Sequence, residues 1–248
     1  IIPDALIICA SVYILLPFAL ILAIGKKTVK QSTTHKAKRN ITKKVKAGNI
    51  YIGGDAPISV QSMLSVPAHN IEGNVEQARR LEAAGCDIVR VTVPDKEALK
   101  TVEALKKSIN IPLVADIHFA YKLAIESVYA GVDKVRINPG NIGSDDKVKL
   151  VADTCRNANV PIRIGVNSGS LEKSILAKYG GATPEAMVES GLYHISLLEK
   201  YDFTDIVLSL KSSDTFTMYR AYELAAEKCP YPLHLGVTEA GTENMGVI

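Results

Sequence analysis

Between Ile58 and Val237, short runs of β-branched and other apolar residues recur seven times, at 58–63 (ISVQSM), 88–93, 113–117, 134–138, 162–166, 206–210 and 233–237. Longer stretches separate them, among them NVEQARRLEAAG, DKEALKTVEALKKS, AYKLAIESVYAG and SDDKVKLVADTCRNA, with apolar residues at three- and four-residue spacing. Short apolar runs alternating with amphipathic helices can bury both faces of a sheet only as repeated βα units around parallel strands. The pattern predicts a (β/α)8 TIM-type barrel. A doubly wound open sheet is the competitor, but the first βα turn carries no GxGxxG fingerprint. Seven strands can be placed and the chain ends eleven residues after the last. An incomplete barrel, truncated at its C-terminus, is therefore expected, and its two open sheet edges predict aggregation or partial unfolding on isolated expression.

Six of the seven runs end in polar residues suited to phosphate: Arg90; Asp116 with His118; Arg136 with Asn138; Arg163 with Asn167; Ser209 with Lys211; Thr238 with Glu239. Residues two apart on a strand share a face, so each set can point into one space, the C-terminal mouth where barrels of this kind build their sites. Three arginines and a lysine have only Asp116 and Glu239 as evident acidic company, and an uncompensated buried charge costs about 3–5 kcal/mol. A diphosphate would satisfy them, because arginine forks match phosphate oxygens and lysine adds a point charge.

Gly140 and Gly143 in NPGNIGSDD permit close backbone approach before Ser144, at an expected helix start. Gln61, Asn167, Ser168 and Ser170 add neutral hydrogen-bonding groups, with turn or cap duty as the alternative for the serines. Asp116 stands two residues from His118, close enough to orient its ring or to share contact with substrate hydroxyls; a purely structural histidine is the other reading. Glu239 is the candidate for general acid/base work. His234, at the start of the seventh run, reads as structural.

Residues 5–24 carry no charge over a length that spans a hydrocarbon core. A membrane-spanning helix is expected there, with the basic run after it holding the remainder on the cytoplasmic side. Nine Lys and Arg lie between Lys26 and Lys46, leaving 20 basic against 25 acidic residues from Asp55 onward. The body is thus acidic, without the clustered cations and aromatic platforms of a nucleic-acid binder. The domain reading is 1–39 as hydrophobic segment and linker and 40–248 as barrel. Cys9, Cys86, Cys155 and Cys229 form no CxxC pair, so no metal site is expected.

Taken together, VQSM, GCDIVRVTVPD, PLVADIHF, KVRINPGNIG, PIRIGVNSGSL, LSLKSS and HLGVTEAG closely resemble the 4-hydroxy-3-methylbut-2-enyl diphosphate synthase family over 41–248. The resemblance implies a barrel that binds 2-C-methyl-D-erythritol 2,4-cyclodiphosphate. It further implies a separate C-terminal domain with a [4Fe-4S] cluster, a two-electron reductive ring opening with loss of water, a head-to-tail homodimer, and an electron donor such as ferredoxin or flavodoxin. Carried over by motif, Arg90, Arg136, Arg163 and Lys211 would hold the diphosphate, with Asn138, Asn167, Ser209 and Thr238 assisting. Asp116 and His118 would face the carbon skeleton, and Glu239 would serve proton transfer. The cluster cysteines have no counterpart in this chain, which alone is expected to bind the substrate without reducing it.

Two other readings stand beside this one. A pterin-binding transferase barrel would use an Asp, Asn and Lys array, against which the arginines count. A non-catalytic, membrane-tethered module that binds a phosphate ligand is the other.

Overall fold

The computed structural model of the protein describes residues 8–10 and 40–237. Ile8–Ala10 form β1, Val45–Ala47 β2 and Ile50–Ile52 β3. From β4 (Val60–Met63) onward, strand and helix alternate: α1 (Ile71–Ala83), β5 (Ile88–Thr92), α2 (Leu99–Ser108), β6 (Leu113–Asp116), α3 (Tyr121–Tyr129), β7 (Lys134–Ile137) and α4 (Asp145–Asn157). Then come β8 (Ile162–Asn167), α5 (Lys173–Tyr179), α6 (Pro184–Glu199), β9 (Ile206–Lys211), α7 (Thr215–Lys228) and β10 (Leu233–Val237). The seven expected runs all form strands, within two residues of the expected ends.

All barrel strands are parallel, in the order β1-β10-β9-β8-β7-β6-β5-β4. The seven strands of the body curl into the expected sheet. Between the edges β4 and β10 lies β1, paired in parallel with both: Ile8 lies beside Leu235 and Val60. This corrects the expectation of a membrane-spanning helix for the three described residues of the 5–24 stretch. Their backbone is extended because unpaired edge groups on either side offer it a ladder. The rest of that stretch lies outside the described residues, among which no helix is long and apolar enough to cross a membrane.

The hairpin β2–β3 went unforeseen, although Val45-Lys46-Ala47 and Ile50-Tyr51-Ile52 alternate about a two-residue Gly48-Asn49 turn. Gly48 has φ of 57°, as such a turn requires. Val45, Ala47 and Ile52 pack against Ile88, Val114 and Val207, which sit at the starts of their strands. The hairpin therefore seals the N-terminal end of the barrel, leaving the C-terminal mouth as the opening.

Outside the sheet, the helices bury one face each; Val148, Val151, Ala152 and Cys155 of α4 and Met187, Val188, Ile195 and Leu198 of α6 are examples. The long connection after β8 holds an additional helix, α5, and Thr183 caps α6, accepting from the Ala186 N–H at 3.2 Å ahead of Pro184.

Candidate functional site

Barrel register brings the polar strand ends to comparable heights. Asp116 lies beside Arg136, and Arg136 beside Arg163. Gly165 and Asn167 of β8 lie beside Ser209 and Lys211 of β9, and Ser209 beside His234 of β10. Their side chains meet in a cavity of about 180 Å³ at the mouth, lined by Arg90, Asp116, His118, Arg136, Arg163, Asn167, Ser209 and Lys211 together with Gly165, Val166, His234 and Gly236.

Asp116 is the hub. It is 4% exposed; Arg136 donates from Nη1 to its Oδ1 at 3.0 Å, while Arg90 Nε and His118 Nε2 each lie 3.6 Å from Oδ2. Burial alone would push this carboxyl up. The contact with His118 and the charges of Arg90, Arg136 and Arg163 outweigh it and hold the group far below the usual carboxylate range. Asp116 is thus an ionised acceptor at neutral pH. His118, half exposed at the rim, stands on the solvent side of this hub.

Arg136 takes its place because residue 165 has no side chain. A Cβ there would lie 2.3 Å from Nε and 2.7 Å from Nη2 of Arg136, whose Nη2 instead donates to the Gly165 carbonyl at 3.3 Å. Arg163, 1% exposed, lies wholly inside the barrel. Against this group of cations, Asp116 is the one carboxylate on the described cavity wall.

Several expected residues are placed differently. Asn138 does not line the cavity; its side chain accepts from the Gly140 N–H at 3.2 Å and closes the turn after β7. Its parity with Arg136 is lost because the strand ends at Ile137. Asn167 makes the matching turn contact with the Gly169 N–H at 3.2 Å and still lines the cavity. Gln61 is not a strand end but the second residue of β4, fully buried below the mouth. Ser170 donates to the Asn167 carbonyl at 3.4 Å, the turn duty given as the alternative for the serines. Thr238 and Glu239 lie outside the described residues.

Three participants were missed. His234 lines the cavity although it stands early in its strand. Burial first, and then the charges of Arg163, Lys134, Arg90 and Arg136, push its pKa well below the ordinary histidine value. Lys134 is itself fully buried; its parity with Arg136 was the available signal. Gly165 leaves no mark in a sequence beyond its place between Arg163 and Asn167.

Behind the wall, His194 of α6 is completely buried, with Nε2 2.7 Å from Glu172 Oε1. A Cβ at Gly140 would meet its ring at 2.7 Å, so the loops after β7 and β8 rest on this pair. Among the described residues no group of three His, Cys, Asp or Glu is placed to hold a metal ion.

Residues 42–248 match the model of the GcpE TIM-barrel domain. The chain is 57% identical over 210 residues to the 4-hydroxy-3-methylbut-2-en-1-yl diphosphate synthase (flavodoxin) of Caldanaerobacter subterraneus subsp. tengcongensis, covering 85% of this chain and 59% of that protein. It is 54% identical over 210 residues to the protein of the same description from Clostridium perfringens, covering 85% and 60%. The chain thus spans about 60% of the length of the curated relatives it matches. Among solved structures, 3-dehydroquinate dehydratase from Geobacillus kaustophilus HTA426 aligns with a TM-score of 0.60 at 15% identity, over 82% of each chain. Dihydropteroate synthase from Yersinia pestis aligns with a TM-score of 0.52 at 12% identity, over 82% of this chain and 95% of that one. At such identities both likenesses show the barrel fold alone.

Proposed function

We propose, because the chain belongs to the GcpE TIM-barrel family, that its mouth is the substrate site of a 4-hydroxy-3-methylbut-2-enyl diphosphate synthase. On this reading it binds 2-C-methyl-D-erythritol 2,4-cyclodiphosphate for reductive ring opening in isoprenoid biosynthesis. The observation that carries it is the convergence of Arg90, Arg136, Arg163 and Lys211 on one cavity whose described wall holds a single carboxylate.

The diphosphate would take the guanidinium forks, each charge-assisted hydrogen bond contributing roughly 1.5–3 kcal/mol. Asn167 and Ser209 offer neutral groups to the remaining oxygens. Asp116, ionised and already bonded to Arg136, orients that arginine and accepts from a hydroxyl of the carbon skeleton; a carboxyl held so low is a poor proton donor at neutral pH. His118 faces the same skeleton from the rim. Proton transfer to the departing oxygen is assigned to Glu239, with Thr238 beside it.

Ring opening with loss of water consumes two electrons, which the family resemblance assigns to a [4Fe-4S] cluster. The described residues do not fit such a cluster. Cys86, Cys155 and Cys229 are each buried, in three separate places, and burial pushes the Cys155 thiol up to about 12. The relatives' names specify flavodoxin, and a flavodoxin-type protein is the donor this reading assigns.

Calorimetric titration with the cyclodiphosphate tests the reading. Binding that weakens roughly tenfold or more in Arg163→Ala is expected from the loss of one charge-assisted contact, and a pterin should give no heat. A folded protein with no measurable affinity for the cyclodiphosphate refutes it.

A further inference from the structure

The cavity holds one polar side chain to which no part of the family resemblance assigns a task. His234 is 2% exposed and lines the cavity wall, and its Nδ1 has no hydrogen-bond partner among the described residues. Its position is fixed from behind by α7. The Tyr222 hydroxyl accepts from the Leu210 N–H at 2.9 Å and donates to the His234 carbonyl at 2.5 Å, so it is inserted between β9 and β10. The ring is therefore held at the height of Ser209, beside the groups assigned to phosphate.

The charges that face it come from three other strands of the barrel: Arg90 of β5, Lys134 and Arg136 of β7, and Arg163 of β8. Lys211 of β9 lines the same cavity, and Asp116 of β6 is its single described carboxylate. Beside β10, the residues of β1 contribute no charge. Without a ligand, burial first and then these cations make an imidazolium unfavourable, so the ring stays neutral. A bound polyanion offsets that field and brings phosphate oxygens, which accept hydrogen bonds only.

We infer that His234 is a ligand-contacting residue of the mouth, and that a diphosphate group entering the cavity is accompanied by proton uptake on its imidazole, which then donates to a phosphate oxygen. The inference rests on the reading of the mouth as a diphosphate site. No covalent bond changes; the proton comes from solvent and returns there on release. The cavity thereby gains one positive charge only when an anion is present, a device that favours fully ionised diphosphates over neutral polar ligands of the same size.

The test uses the intact protein with inorganic pyrophosphate as probe. With only five histidines in the chain, labelled imidazole signals can be followed by NMR. In free protein the His234 ring should remain neutral at and below the ordinary histidine pKa of about 6.5, and with saturating pyrophosphate it should be protonated at that pH. A ring that stays neutral in the complex overturns the inference. Calorimetry in two buffers of different ionisation heat gives the proton count independently: wild type should take up as much as one more proton per site than His234→Gln. Its affinity relative to that variant should fall by about tenfold per pH unit between the free-state and bound-state pKa values and level off above the latter. Equal proton counts overturn the inference while leaving the diphosphate reading intact, whereas absence of pyrophosphate binding to wild type overturns both. The NMR arm needs no variant, so it decides even where His234→Gln does not fold.

Discussion

Replacing Gly165 by alanine separates the packing of the site from its charge. The backbone at 165 does not have positive φ, and on conformational entropy alone Gly→Ala at such a position stabilises a protein by about 0.4–1 kcal/mol. Here the new methyl would lie 2.3 Å from Arg136 Nε, 2.7 Å from Nη2 and 2.9 Å from Cζ. The guanidinium has little slack, since it is tied to Asp116 Oδ1 at 3.0 Å and to the Gly165 carbonyl at 3.3 Å. It must leave by about an ångström or more to reach ordinary van der Waals separation, giving up one or both ties. Overpacking of this kind should turn the expected gain into a net loss of about 1–3 kcal/mol. Displacing one charge-assisted contact at about 1.5–3 kcal/mol should weaken pyrophosphate binding roughly ten- to a hundredfold. Urea denaturation and calorimetry measure the two effects. In an Arg136→Ala background the methyl has room, so the second change should cost almost nothing. A Gly165→Ala protein with wild-type affinity, or one whose loss simply adds to that of Arg136→Ala, would refute the argument.

Asp116→Asn removes the carboxylate that holds Arg136 and Arg90 and should destabilise the protein by about 3–5 kcal/mol. Pyrophosphate at a hundredfold excess over its Kd should restore roughly 2.7 kcal/mol, and unchanged stability by urea denaturation would contradict the role of the hub. Tyr222→Phe leaves the Leu210 N–H and His234 carbonyl without the hydroxyl between them; a loss of about 1–3 kcal/mol and faster amide exchange at Leu210 are expected, and unchanged exchange would count against it. Burial lowers the pKa of His194, with Glu172 opposing, and burial with the surrounding cations lowers that of His234. Both groups bind protons more readily unfolded than folded, so stability should be full above the unfolded pKa of about 6.5 and fall as pH drops below it, by up to about 1.4 kcal/mol per pH unit for each. His194→Gln should remove one share of that slope, and an unaltered slope across a pH series of urea melts would refute it.

The fold was legible because βα alternation is a demand of burial. Runs such as Ile162–Asn167, buried except at the last residue, have no solvent face to alternate with. The 5–24 stretch was misread at Ile8–Ala10 for the same physical reason that made it conspicuous, since a membrane helix and a buried strand share a composition. What favours the strand is the pair of open edges at Val60 and Leu235, which belong to sequence far away. Asn138 shows a nearer limit: parity predicts a side chain's direction only while the strand continues, and β7 ends one residue before it.

Height is the coordinate that spacing along the chain does not carry. His234 is the second residue of β10 and by that position reads as structural, while Ser209, the fourth of β9, reads as part of the mouth. Yet the two are register partners, because closure of a barrel tilts its strands and staggers their starts. The same stagger sets Thr92, not Arg90, beside Asp116, and only the reach of the arginine side chain returns its charge to the hub. A polar residue early in a late strand can therefore stand level with the ends of earlier ones. Counted by height instead of by position within its strand, His234 joins Arg163 and Arg136 as part of the wall an entering anion meets.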